Sequence, residues 1–200
     1  MPSDCSDPAA SRTPSPGHAG RWSVAAALAL IVGGGASPVF ALDQVWARGV
    51  FPIRDFHGFT SHYGPRRLNG VPGMHRGIDI AAPSGATVQS WWSGVVVDVI
   101  DDGLCGIGLV IRSGAYQHIY CHLQGQTASG VYRFAGGAVR RGQRLRRGQW
   151  IGRVGLTGRT TGPHLHWGIR HNGQWLDPAR ILRAMARGRR QGHARVQPLG

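Results

Sequence analysis

The chain has 200 residues, 42% of them hydrophobic, which suits one compact domain with a real core and excludes disorder of the chain as a whole. Its 23 basic residues are all Arg and its 9 acidic residues all Asp, for a formal net charge of +14. With no Lys and no Glu, mechanisms built on a lysine Schiff base or a glutamate general base are excluded.

Residues 1–41 read as an address. A Ser/Pro/Ala-rich leader with Arg12 and Arg21 precedes an apolar run from Val24 to Val32. A membrane-spanning helix needs about 20 apolar residues, so the run is too short for one. The small residues after it, ending in Val39-Phe40-Ala41, predict signal cleavage after Ala41. The competing expectation is an uncleaved anchor beginning near Trp22. Cleavage would remove two Arg and two Asp, leaving the charge unchanged, and would also remove Cys5. Cys105 and Cys121 then remain in an exported, oxidising setting, either as one disulfide or as two buried thiols.

Residues 42–57 are expected to be a lead-in and 58–184 the functional domain. Short apolar runs bounded by Gly, Pro, Ser or Asp recur along that domain. They are Gly77–Ala81, Ala86–Gln89, Gly94–Ile100, Gly108–Arg112, Tyr116–Cys121, Gln149–Val154 and His164–Arg170. This pattern predicts an all-β fold, a sandwich or a barrel. Ser113-Gly114 predicts a hairpin turn between two of the runs. Only Pro178–Met185 carries a helical pattern, with Asp177 as its N-cap and Pro178 at the first helical position. Residues 185–200, rich in Arg and Gly, are expected to form a flexible tail.

The ten histidines hold the chemistry. In His75-Arg-Gly-Ile-Asp79, Gly77 and the β-rich residues after it argue against a helix. Asp79 is then a strand residue whose side chain points away from those of Ile78 and Ile80. His164 and His166 lie two apart on another strand and share a face. Two His and one Asp are ligands of the types zinc accepts. A zinc hydrolase without Glu needs histidines for proton transfer, and His122 and His164 are available.

Together these segments resemble the lysostaphin-type zinc metallopeptidases, which cut peptide cross-links in bacterial cell walls. The resemblance rests on His75-Arg-Gly-Ile-Asp79-Ile-Ala-Ala-Pro, the Gly94-Val-Val-Val-Asp-Val strand, Tyr120-Cys-His122-Leu, and the segment from Gly148 to His164-Leu-His166-Trp. It implies a compact antiparallel β-sandwich and one zinc ion per chain, held by His75, Asp79 and His166 in an open groove of that fold. His122 and His164 would be the catalytic pair. Arg66, in Ser61-His-Tyr-Gly-Pro-Arg66, matches an upstream element that would line the groove and bind substrate. Cys105 and Cys121 resemble a pair found in some relatives.

The expected function is therefore a zinc endopeptidase acting on peptidoglycan, exported to the periplasm or envelope and monomeric. The alternative is a non-enzymatic envelope module that regulates another hydrolase. The Arg-rich stretches Arg140–Arg147 and Arg187–Arg195 lack the interleaved aromatics of a nucleic-acid binder. Nucleic acid is not an expected partner. Anionic envelope polymers are one expected counterpart of the charge, and coding bias toward Arg is the other explanation.

Overall fold

The computed structural model describes residues 45–68 and 70–194. The leader expected over 1–41 and the last six residues lie outside the described residues.

Alternation of apolar with polar or small residues builds the main sheet. In chain order the strands are β1 (Gly58–Ser61), β2 (Gly64–Leu68), β3 (Val71–His75), β4 (Ile78–Ala81), β5 (Thr87–Gln89), β6 (Gly94–Asp102), β7 (Gly106–Ser113) and β8 (Tyr116–Cys121). They continue as β9 (Gln126–Ala128), β10 (Val131–Phe134), β11 (Gly137–Arg140), β12 (Arg144–Leu145), β13 (Trp150–Arg153), β14 (His164–His171) and β15 (Gln174–Leu176). The antiparallel main sheet runs β1-β4-β14-β8-β7-β6-β12, with β15 also paired to β14. The meander β11-β10-β9, the pair β13-β5 and the ribbon β2-β3 complete the all-β architecture. All seven apolar runs picked out in the sequence are strands.

Register sorts the two faces of the main sheet. Leu165 on β14 pairs with Ile80 on β4, and Trp167 pairs with both Ile78 and Tyr120. These side chains are buried in a core shared with Val88 of β5, Ile151 of β13 and Tyr132 of β10. The residues between them face the other way. Asp79 lies directly opposite His166, and His166 opposite Cys121. Period-two geometry thus assigns one face to the core and the other to chemistry.

The lead-in belongs to this core. Trp46 and Ile53 are buried, and Ile53 bridges to Val88. The helix α1 (Pro178–Ala194) starts as expected, with Asp177 Oδ1 accepting from the Ala179 amide at 2.9 Å. Its length corrects the expected tail. The apolar face ends near Met185, but the helix continues to Ala194. Ala and Arg are strong helix formers and carry the extra turns without an apolar stripe. Gly188 passes so close to Ala47 that an added Cβ would lie 2.5 Å from the Ala47 Cβ.

Candidate metal centre

His75 ends β3, Arg76 and Gly77 turn the chain, and Asp79 follows one residue into β4. Both side chains are buried. From β14, His166 enters across the sheet, its backbone in register with Asp79. The donor atoms converge. His75 Nε2 is 3.1 Å from Asp79 Oδ1 and 3.0 Å from His166 Nδ1, and His166 Nδ1 is 2.9 Å from the same Oδ1. Among the described residues this is the one group of three or more His, Cys, Asp or Glu side chains whose ligand atoms lie within 4.8 Å of one another.

Main-chain carbonyls fix the imidazoles. His75 Nδ1 donates to the His62 carbonyl at 2.7 Å, which leaves Nε2 facing Asp79. His122 Nδ1 donates to the Thr157 carbonyl at 2.9 Å, and His164 Nδ1 to the Gly162 carbonyl at 2.8 Å. A carbonyl only accepts, so each ring has its proton on Nδ1 and its Nε2 available. His164 Nε2 stands 3.6 Å from Asp79 Oδ1, and the His122 and His164 ring centroids are 4.7 Å apart. All five residues named from the sequence therefore meet in one place.

His122 is held from several sides. It adopts a left-handed conformation, φ 63°, uncommon for a residue with a side chain. Its amide donates to the Cys105 carbonyl, and its own carbonyl accepts from Gly155. Cys105 and Cys121 are joined in a disulfide with Cα atoms 4.9 Å apart. The choice the sequence left open is thus settled in favour of the bridge, which ties the residue before His122 to the start of β7.

Charge is arranged to suit a cation. Burial pushes the Asp79 carboxyl up, but the imidazoles of His166 and His75 beside it outweigh that and hold the group well below the ordinary range. Burial pushes both His166 and His122 down, against the opposing pulls of Asp79 and the Thr157 carbonyl respectively. A carboxylate oxygen beside two imidazole nitrogens is a donor set zinc accepts. A proton and a metal compete for the same nitrogens. The residues fit zinc on this chemistry.

Sequence reasoning did not find the partners of the imidazoles, because main-chain carbonyls carry no residue signature. It also missed Ser61, whose Oγ is 3.2 Å from His75 Nδ1 and accepts from Arg66 Nη1 at 3.0 Å. Arg66 Nη1 also reaches Asp79 Oδ2 at 3.2 Å. Arg66 does line a groove beside the centre, and in addition it grips a candidate ligand.

Residues 73–178 match the model of peptidase family M23. The chain belongs to this family. Over 131 residues the M23 chain is 37% identical to peptidoglycan DD-endopeptidase ShyC of Vibrio cholerae, covering 64% of this chain and 28% of that protein. It spans less than a third of the curated relatives it matches. Among solved structures, a zinc-containing peptidase from Vibrio cholerae is 33% identical with a TM-score of 0.53, covering 68% of this chain and 38% of that one. The lysostaphin catalytic domain from Staphylococcus simulans is 31% identical with a TM-score of 0.51, covering 64% of this M23 chain and 92% of that domain.

Proposed function

We propose that this protein is a zinc endopeptidase that hydrolyses peptide bonds in the stem peptides or cross-bridges of bacterial peptidoglycan. The observation that carries the reading is the convergence of His75, Asp79, His166, His122 and His164 on one face of the main sheet. The name of the ShyC relative supports peptidoglycan as the substrate. A non-enzymatic module would have no use for five such groups in one place.

His75, Asp79 and His166 would hold the metal. A zinc ion there supplies Lewis acidity, which lowers the pKa of water and polarises a carbonyl oxygen. Arg66 steadies Asp79 through Oδ2, and the His62 carbonyl holds the His75 ring in place. His122 and His164 turn Nε2 inward while Nδ1–H is tied to a carbonyl. Burial keeps His122 neutral, so its Nε2 can take a proton from the attacking water at neutral pH. The pair then returns a proton to the leaving amine. With no Glu in the chain, histidine carries both transfers.

The peptidase unit in this reading is residues 58–184, packed on the lead-in, and residues 1–41 direct export to the periplasm or envelope. The Cys105–Cys121 bridge suits that compartment. Metal analysis and wall digestion test the reading together. His166→Ala should lose zinc and cleavage. His122→Ala should keep zinc and lose about 100-fold or more in rate. Zinc-free wild-type protein with an intact fold would refute the metal assignment.

A further inference from the structure

Beside the metal centre lies a groove of about 420 Å³, lined by Thr60, Ser61, Arg66, Arg67, Thr161 and His164 along with Asp79. Its charges are one-sided. Asp79 is the only acid in the lining, and its oxygens are already engaged by His75, His166 and Arg66. The two guanidinium groups are only partly engaged. Arg66 spends Nη1 on Ser61 and Asp79, while its Nε and Nη2 have no hydrogen-bond partner among the described residues. Its side chain remains 33% exposed. Arg67 spends Nη1 on the Gly70 carbonyl at 2.8 Å and is otherwise exposed.

The opposite wall cannot repel an anion. It comes from the loop before β14, within a stretch from Gly103 to Leu176 that holds ten arginines and no carboxylate. Thr60 and Thr161 add neutral hydroxyls to the lining. Guanidinium groups with spare N–H donors pair with carboxylates through two parallel bonds, a geometry Lys does not reproduce.

We propose that this groove selects peptides carrying a free carboxylate beside the bond to be cut. Arg67 at the rim is the main counter-charge and Arg66 the inner one. The proposal rests on the endopeptidase reading and names the substrate feature that reading leaves open. It makes Arg67 a specificity-determining residue, separate from Arg66, whose loss also loosens Asp79.

The test uses one probe in two forms: a cross-linked stem-peptide dimer purified from peptidoglycan, as the free acid and with its carboxylates amidated. The zinc-loaded full chain should cut the acid with a kcat/KM about tenfold or more above that for the amide. Arg67→Gln should abolish most of that preference at unchanged zinc content, and Arg67→Lys should restore only part of it. Arg133→Gln, which removes the same charge from an exposed position on β10, should leave the preference intact. Equal rates on the two forms, or an Arg67→Gln variant as selective as wild type, would overturn the proposal. Affinity for both forms is read in parallel by competition on zinc-free protein. If neither form is cut, the endopeptidase reading falls. The carboxylate proposal then survives only if acid binds more tightly than amide and Arg67→Gln erases the difference.

Discussion

Gly77 carries no functional group, yet the position of His166 depends on it. A Cβ at residue 77 would lie 2.5 Å from His166 Cε1, 2.6 Å from Nε2 and 2.8 Å from the Trp167 carbonyl oxygen. Main chain bounds one side, so the ring would have to move. Gly77→Ala should fold and yet bind zinc about 10- to 100-fold more weakly, the scale of a misplaced ligand support. Chelator competition measures this, and an unchanged affinity would contradict it. At this scale the sequence was informative about the histidines and the aspartate that meet at the site, though not about Ser61 beside them. His75, Asp79, His122, His164 and His166 all appear in the short segments that carry the resemblance. The supports were illegible because they are the carbonyls of His62, Thr157 and Gly162, and any residue has a carbonyl.

Strand β8 shows what alternation does at the level of an element. His118 and Tyr120 point into the core, and His122 follows just past the strand end. His118 is fully buried, with Nε2 2.8 Å from Ser113 Oγ, Nδ1 2.8 Å from the Tyr120 hydroxyl, and its ring edge-on to Trp91. Burial pushes its pKa down to about 3, against about 6.5 in the unfolded chain. Above pH 6.5 neither state is protonated and the full stability is present. Between 6.5 and 3 the unfolded state binds the extra proton, so stability falls as pH falls, by up to about 1.4 kcal/mol per pH unit from this residue. Urea unfolding of zinc-free protein from pH 7 to 4 should show this slope, and His118→Gln should flatten it. Parallel curves would contradict the assignment. The strands β4 to β8, β13 and β14 were readable from sequence, whereas β1, β2, β3, β9, β10, β11, β12 and β15 were not. Their sequences are short, and some, such as Gly64-Pro-Arg-Arg-Leu68 and Gly137-Ala-Val-Arg140, are rich in Gly, Pro and Arg. Pairing with neighbours, rather than local pattern, makes them strands. The last turns of α1 escaped for the converse reason, since good helix formers need no apolar stripe.

Across the whole molecule the +14 charge divides into parts. Some arginines serve packing. The Arg153 guanidinium sits 4.7 Å from the Trp150 ring centroid and donates to the Ala135 and Gly85 carbonyls. Arg147 lies over Trp92 and donates to the Arg48 carbonyl, while Arg170 lies 4.2 Å from the Trp175 ring centroid. Arg66 and Arg67 flank the groove. The sequence count could not make this division, because several of the contacts, such as Arg147 with Trp92 and Arg48, join residues far apart in the chain. The five convergent side chains are proposed to make a zinc peptidase for wall peptides. Digestion of purified peptidoglycan by the full chain, followed by mass spectrometry of the released fragments, tests it most directly. Cross-linked dimers should become monomers with glycan strands intact, and the conversion should stop on chelation and return with zinc. Dimers left intact by protein that holds zinc at the His75–Asp79–His166 centre would contradict it.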